Sequence, residues 1–238
     1  DKMGEPTQIN DHVLQIENEY YSLVRPKQVP LAGETPSQAL ANRGVGYVEL
    51  RAVDVNPYSD IGIDEDTAGF LEVLALYCLM QDSPELYDQE LEDIEKNQAE
   101  VVNRGRAPNA VIIEHKKQVP ILKWMGQHLD HMQSLARVLN QTYASRIYTQ
   151  ALETMKQRIH KVDETLSAKV IQDTLSHKGT WSFGSEMANQ HAQSYEAHVL
   201  KPDTIEYFKG LAQSSLQKQQ QLEQECTQSF DEYLTAFR

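Results

Sequence analysis

The repeat period of the apolar residues changes once along this 238-residue chain, and that change limits the possible folds most strongly. In the first 60 residues, apolar and polar side chains alternate in two short segments, which is typical of half-buried β-strands. From Asp64 onward, apolar residues recur with the 3.6-residue period of an α-helix. The sequence therefore predicts an α+β fold, with a mostly helical body packed on a few antiparallel strands.

The two alternating segments are residues 13–21 and residues 46–55. Each has one apolar face and one polar face because neighbouring side chains on a strand point to opposite sides. The apolar faces consist of Leu14 and Ile16 in the first segment and Val48, Leu50 and Ala52 in the second. We expect the helical body to bury these five side chains.

Two strands this short do not form a stable sheet alone, so further strands are expected. The rest of the sequence offers almost none, apart from a possible short strand at residues 110–113 within an ambiguous stretch. This shortage predicts that the chain is part of a longer protein. We predict a segment of a larger sheet over residues 1–63 and a helical region over residues 64–238.

Helix signals dominate the second part of the chain. Ser83 followed by Pro84 is a typical helix start, and Gly105 is a typical helix end. The predicted helices cover residues 67–80, 84–104, 120–140, 143–161, 164–176, 183–200 and 204–237.

The composition excludes several classes of protein. With 22 basic and 35 acidic residues the net charge is −13, which disfavours binding to nucleic acid. No apolar run is long enough to cross a membrane, and no signal peptide is recognisable. Cys78 and Cys226 do not make a disulfide framework, so we expect reduced thiols and a cytoplasmic location.

The polar face of the second segment carries Tyr47, Glu49 and Arg51. A carboxylate and a guanidinium two residues apart on a strand project in parallel. This arrangement suits a site in which Glu49 binds a divalent cation and Arg51 holds a phosphate oxygen. It suits equally well a cross-strand ion pair on a solvated sheet face, and the spacing alone does not choose between the two.

The polar face of the first segment carries Glu17, Glu19 and Tyr21. If the two strands are neighbours, their polar faces merge into one surface. Arg25, Lys27 and Arg43 lie in the predicted turn region between them and could add positive charge. Magnesium prefers oxygen ligands and often bridges carboxylates to phosphates, but one or two carboxylates leave it short of ligands.

Other candidate sites are weaker. His128 and His131 are three residues apart on a predicted helix with Asp130 between them, but no third ligand follows at a matching spacing. Neither cysteine has a companion histidine for nucleophilic catalysis. Neither a P-loop nor a dinucleotide-binding glycine pattern is present.

Several motifs in the first part of the chain resemble one enzyme family. They are VLQIENEYY at residues 13–21, RPK at 25–27, GYVELR at 46–51, DVNPY at 54–58 and IGID at 61–64. Together they resemble the C-terminal half of the gammaproteobacterial type of glutamate–cysteine ligase. The specific likeness covers about residues 12–84; beyond it only helical pattern and length agree.

The resemblance implies an ATP-dependent ligase that joins L-glutamate to L-cysteine, the first step of glutathione synthesis. It implies a catalytic fold similar to that of glutamine synthetase, with Mg²⁺ as cofactor and ATP as a substrate. In this family pattern Glu49 matches a magnesium ligand, Arg51 matches a catalytic arginine on the terminal phosphates, and Tyr21 matches a tyrosine of the cysteine site. Glu17, Glu19, Arg25, Lys27 and Tyr47 are weaker candidates on the same faces or in the nearby turn.

The resemblance also implies that the N-terminal half of the same enzyme supplies the other magnesium ligands and most glutamate-binding groups. We therefore predict that these 238 residues alone are inactive. Two alternatives remain open: a related carboxylate–amine ligase with a different acceptor, and a non-catalytic helical interaction module.

Overall fold

The computed structural model describes residues 12–31 and 33–237, which fall into two units. Unit 1 contains the described residues up to Asp54 and those from His198 onward, and unit 2 contains Val55–Ala197. In chain order the strands and α-helices are β1 (Val24–Lys27), α1 (Pro36–Arg43), β2 (Tyr47–Leu50), α2 (Glu65–Leu79), α3 (Asp88–Arg104), β3 (Val111–Glu114), β4 (Lys117–Pro120), α4 (Ile121–Thr142), α5 (Ile147–His160), α6 (Leu166–Ser176), α7 (Thr180–Ala197), α8 (Pro202–Glu225) and α9 (Phe230–Phe237).

The predicted α+β class is confirmed: helices predominate, and the strands among the described residues form two antiparallel pairs. In unit 1, β1 pairs with β2, and in unit 2, β3 pairs with β4. Within the described residues, no helix is both long and apolar enough to cross a membrane. The division that we predict at residue 63 stays a prediction.

The first predicted strand, at residues 13–21, is wrong. Glu17–Glu19 form a short 3₁₀ turn, and the strand that pairs with β2 begins later, at Val24. Hydrogen bonds between side chains and backbone explain the difference, because they compete with a sheet ladder. The Gln15 N–H donates to the Glu19 carboxylate at 2.6 Å, and the Ser37 N–H donates to Glu17 at 2.9 Å.

The second predicted strand is confirmed in part, since β2 covers only Tyr47–Leu50 of residues 46–55. The expected burial of the apolar faces is wrong. Leu14, Ile16, Val48 and Leu50 are between 40% and 57% exposed, and Ala52 is also exposed. A two-stranded sheet has too little surface to bury a face by itself, so these side chains stay open within the described part of the chain.

Helix α1 was not predicted, because Pro30, Gly33 and Pro36 indicated turns. Its start is a capping box: the Thr35 hydroxyl accepts from the Gln38 N–H, and the Gln38 side chain accepts from the Thr35 N–H. Pro36 occupies the first helical position, where a missing N–H costs nothing. The Thr-Pro-Ser-Gln sequence is therefore a helix start that is recognisable from sequence.

Unit 2 has its main core between α2, α4 and α5. Its most buried large side chains, Val73 and Leu152, come from α2 and α5. The predictions for α2, α4 and α5 are confirmed within a few residues at each end. The predicted helix start at Ser83–Pro84 is wrong, because α3 begins at Asp88 with Tyr87 as its N-cap. Helix α2 begins after Asp64, whose carboxylate accepts from the Thr67 N–H at 2.7 Å.

Two further differences concern a hairpin between α3 and α4 and the end of the last predicted helix. The strand predicted at residues 110–113 is confirmed as β3, but its partner β4 was not predicted. Their connection is His115–Lys116, which lacks the Asn-Gly signal of a tight hairpin. The single helix predicted over residues 204–237 is instead divided, because α8 ends at Glu225 and α9 begins at Phe230.

Candidate functional site

One face of the β1–β2 pair carries Arg25, Lys27, Tyr47, Glu49 and Arg51; we call these five residues the basic face. Cross-strand partners in an antiparallel pair point to the same side, and the register pairs Arg25 with Glu49 and Lys27 with Tyr47. The Arg51 N–H donates to the Leu23 carbonyl at 2.7 Å, which extends the pairing by one residue. Strand pairing thus brings together Lys27 with Tyr47 and Arg25 with Glu49, which are 20 and 24 positions apart in sequence.

Glu49 and Arg51 project together, as the alternation predicts. Arg51 Nη2 lies 2.9 Å from Glu49 Oε2, and Lys27 Nζ lies 3.6 Å from the same oxygen. The Arg51 guanidinium, helped by the Lys27 charge, holds the pKa of Glu49 below its usual value. Glu49 therefore stays ionised at neutral pH with two cations beside it.

The basic face has a net positive charge although the whole chain is acidic. Arg25, Lys27 and Arg51 contribute three positive charges against the one carboxylate of Glu49, which gives 3 − 1 = +2. The chain as a whole has a formal charge of −13. A local excess of positive charge of this kind attracts anions such as phosphate groups.

Glu49 could contribute one oxygen ligand to a magnesium ion. Its Oε2 atom is buried and, within the described residues, has no well-aligned hydrogen-bond donor, although Arg51 is within ionic contact. A carboxylate oxygen without an aligned donor can still accept a cation. However, no group of three or more His, Cys, Asp or Glu side chains in the described ranges could hold a metal ion. The residues fit a magnesium site only if other ligands complete it.

Tyr21 joins the basic face through a ring contact. The centre of its ring lies 5.6 Å from the guanidinium carbon of Arg51, a distance typical of a cation–π interaction. Tyr21 therefore lies close to Arg51, as expected. Tyr21 comes before β1, so strand pairing is not what brings it there. The side chain of Tyr21 is 65% exposed.

The remaining acidic candidates have structural partners. Glu17 accepts from the hydroxyl and the backbone N–H of Ser37, in the first turn of α1, at 2.5 and 2.9 Å. These hydrogen bonds lower the pKa of Glu17, and a helix N-terminus favours a negative charge. Glu19 accepts from the Gln15 N–H. The structure thus places Glu17 and Glu19 in the turn before the basic face.

The remaining basic candidates divide in the same way. Arg25 belongs to the basic face and also donates to the Tyr20 carbonyl at 3.2 Å. Arg43 is bound to Glu34 instead. Sequence reasoning placed Arg25 and Lys27 in a turn because Pro26 argues against a strand. The alternation of Val24 and Pro26 with Arg25 and Lys27 is the signal that could have identified β1.

His128 and Asp130, two of the residues considered for a metal site on α4, have structural partners. The Tyr77 hydroxyl lies 3.1 Å from His128 Nδ1, and Asp130 forms an ion pair of 2.5 Å with Lys156. These contacts explain His128 and Asp130 without a metal.

Comparison with known proteins gives a consistent result. The protein family described as glutamate-cysteine ligase matches residues 1–101. A glutamate–cysteine ligase from Azotobacter vinelandii is 38% identical over 237 residues, which is 99% of this chain and 44% of that protein. One from Pseudomonas fluorescens is 35% identical over 238 residues, which is 100% of this chain and 45% of that protein.

A solved structure agrees with the sequence relatives. The crystal structure of a glutamate–cysteine ligase from Francisella tularensis in complex with AMP superimposes with a TM-score of 0.88 at 30% identity. The superposition covers 100% of this chain and 47% of that one. The chain thus spans less than half the length of the relatives it matches. From these matches along its length, the chain belongs to the glutamate–cysteine ligase family.

Proposed function

We propose that this chain is part of an ATP-dependent ligase that joins the γ-carboxylate of L-glutamate to the amine of L-cysteine. The observation that carries the proposal is the contact between Glu49 and Arg51 on a face with net positive charge. The family relationship and the AMP bound to the Francisella tularensis enzyme support it. In this proposal the basic face is the side of the nucleotide site that this chain contributes.

The chemistry explains why a basic face is needed. A carboxylate does not condense with an amine at neutral pH, so its oxygen first attacks the terminal phosphorus of ATP. ADP leaves, and the product is a γ-glutamyl phosphate. The cysteine amine then attacks the acyl carbon, the amide bond forms, and phosphate leaves with the electrons of the broken bond. Negative charge accumulates on the phosphate oxygens during the first step, and a fixed guanidinium stabilises it.

Each residue of the basic face has a role in this scheme. Arg51 contacts the terminal phosphate oxygens, and Lys27 and Arg25 add attraction for the triphosphate. Glu49 would hold Mg²⁺ together with ligands outside the described residues, and the ion would neutralise charge between the phosphates. Tyr21 borders the position of the cysteine. Tyr47 shares the face with these groups.

A site with one carboxylate is incomplete, so we also propose that these 238 residues alone do not catalyse ligation. The remaining ligands would come from the N-terminal half of the enzyme. We propose a cytoplasmic location as well, since both described cysteines are unpaired.

The experiment compares Arg51→Ala, Arg51→Lys and the control Arg43→Ala in the intact protein that contains this chain. Steady-state ligation is followed by phosphate release with glutamate, cysteine and ATP. Arg51→Ala should lower kcat by about 100-fold or more, because a transition-state contact is lost. The KM for cysteine should change by no more than about twofold, and Arg43→Ala should behave as the parent protein.

A near-normal kcat for Arg51→Ala would contradict the role of Arg51. A panel of other amines in the same assay separates this reaction from that of a related ligase. Faster ligation of another amine than of cysteine would show that the acceptor is not cysteine. No phosphate release with any amine would favour the non-catalytic module instead.

A further inference from the structure

Unit 2 contains a half-open apolar cavity that the proposed ligation chemistry does not use. Its volume is about 520 Å³, and it lies between α2, α4 and α5. Small-molecule sites in proteins usually have volumes of about 300–1,000 Å³. Its apolar wall includes Phe70, Leu74, Leu122, Trp124, Met132 and Met155.

An apolar space of this size is unusual next to a packed core. Val73 and Leu129 are almost completely buried, and Leu74 and Met155 pack against the same core. Protein interiors contain few voids larger than a water molecule, because every unfilled volume loses dispersion contacts. A water molecule needs two to four polar partners, and although Tyr77, His128 and Thr165 also line the cavity, most of its wall is apolar and does not offer them. An apolar occupant would recover the missing contacts.

The charged residues that line the cavity are both arginines, Arg106 and Arg158, and no Asp or Glu lines it. Neither arginine forms an ion pair within the described ranges of the chain. Arg106 is exposed, and Arg158 Nη1 lies 3.6 Å from Met155 Sδ. The charge of Arg158 also acts on Asp64, which lies outside the cavity. Guanidinium groups without a close ion pair, on the rim of an apolar cavity, can attract one acidic group although the chain as a whole has a charge of −13.

We propose that this cavity binds a small amphiphilic monoanion: a molecule with an apolar body and one carboxylate. The apolar body lies against Leu74, Leu122 and Met155, and the carboxylate pairs with Arg106 and Arg158. Nothing in this site involves the basic face of unit 1. The proposal is therefore independent of the ligase reaction and goes beyond it.

The two cysteines provide a local test in the intact protein. Cys78 is exposed and lines the cavity, whereas Cys226 is exposed outside unit 2. Alkylation by N-ethylmaleimide is measured for each cysteine by peptide mass spectrometry, with and without decanoate below its micelle concentration. Saturating decanoate should slow alkylation of Cys78 by about fivefold or more, because the modified position is covered in the bound state. The rate at Cys226 should not change.

Charge selectivity is tested with decyltrimethylammonium, which has the same apolar chain and the opposite charge. It should leave the rate at Cys78 unchanged. The double variant Arg106→Gln with Arg158→Gln should lose the protection by decanoate, while Arg137→Gln, an exposed position on α4 outside the cavity, should keep it. Met125→Trp adds bulk at the cavity wall and should also remove the protection.

Three results would overturn the proposal. Equal alkylation of Cys78 with and without decanoate would show that the anion does not bind. Equal protection by decyltrimethylammonium, or full protection in the double variant, would show that the arginines do not select it. A Cys78 that does not react in the ligand-free intact protein while Cys226 does would show that another part of the protein covers the cavity.

Discussion

The ring of Tyr21 faces the guanidinium group of Arg51, with 5.6 Å between the ring centre and the guanidinium carbon. Arg51 also contacts Glu49 at 2.9 Å, so its side chain is held from two sides. A ring on one side and a carboxylate on the other limit the rotamers that a long arginine side chain can adopt. In the proposed reaction this contact connects the cysteine position to the phosphate position.

This contact predicts different effects for two replacements of Tyr21 in the intact protein. Tyr21→Leu removes the aromatic face and should lower kcat/KM for ATP by about fivefold, the equivalent of about 1 kcal/mol of cation–π stabilisation. Tyr21→Phe keeps the ring and should stay within about twofold for ATP. Steady-state kinetics with varied ATP measure both values. Equal losses in the two variants would show that the ring does not orient Arg51.

Glu34 should titrate at unusually low pH. Its carboxylate accepts from both terminal nitrogens of Arg43, at 2.9 and 2.6 Å, and from the Leu31 N–H at 2.9 Å. The hydrogen bonds from Arg43, and to a smaller extent the one from Leu31, lower the pKa of Glu34 from 4.5 to about 2. The folded protein thus gains stability from the ionised form above pH 4.5, and loses it as the pH falls toward 2.

The measurement is a side-chain carboxyl NMR titration of Glu34. Arg43→Gln should raise its midpoint toward 4.5, whereas Lys96→Gln, a change on α3 in unit 2, should leave the midpoint near 2. An unchanged midpoint in Arg43→Gln would mean that the ion pair does not determine the pKa of Glu34.

Tyr58 should make the protein sensitive to alkaline pH. Burial, followed by the 2.5 Å hydrogen bond to Asp173, raises the pKa of Tyr58 from 10.0 to about 12. The folded state holds the phenolic proton of Tyr58 more tightly than the unfolded state does. The contribution of Tyr58 to stability is therefore full below pH 10 and is lost as the pH rises through 12. The free energy of unfolding should therefore fall more steeply above pH 10 in the parent protein than in Tyr58→Phe.

At neutral pH, Tyr58→Phe should reduce the free energy of unfolding by about 1 kcal/mol, the usual contribution of one hydrogen bond. A double-mutant cycle with Asp173→Asn isolates the coupling. Parallel slopes above pH 10 in the parent and the variant would contradict the raised pKa of Tyr58.

The hairpin β3–β4 should become more stable with glycine at position 116. His115 and Lys116 have φ angles of 48° and 64°, a left-handed conformation that an L side chain adopts at a cost. Lys116→Gly removes that cost and should raise the free energy of unfolding by about 0.5–1 kcal/mol. Lys117→Gly, within β4, should instead lower it. Denaturant unfolding measures the free energy of unfolding of both variants. A lower value for Lys116→Gly than for the parent protein would show that the left-handed conformation at Lys116 does not cost stability.

Sequence patterns predicted α2, α4 and α5 well because these helices bury apolar stripes in a common core. Val73, Leu129 and Leu152 lie on three different helices and meet in that core. The apolar residues that recur with the helical period are therefore the ones that are buried there. The same logic failed at residues 13–21. There the alternation arises from carboxylates that bond to backbone N–H groups, as Glu17 does with Ser37, and not from strand pairing.

For the candidate site, the alternation predicted correctly that Glu49 and Arg51 share a face, because side-chain direction follows from strand geometry alone. The neighbours of these residues could not be predicted in the same way. Arg25 and Lys27 reach the face through a strand interrupted by Pro26, and Tyr21 reaches it through a turn. Pairing register and turn geometry depend on contacts that are distant in sequence.

The most direct test of the central claim is the affinity of the intact protein for Mg·ATP, measured by calorimetry. Glu49→Gln removes the charge of the proposed metal ligand and keeps its shape, and Glu153→Gln on the exposed side of α5 is the matched control. We expect Glu49→Gln to weaken Mg·ATP binding by about tenfold or more, and Glu153→Gln to leave it unchanged. Equal affinity of the parent protein and Glu49→Gln for Mg·ATP would contradict the assignment of the basic face to the nucleotide.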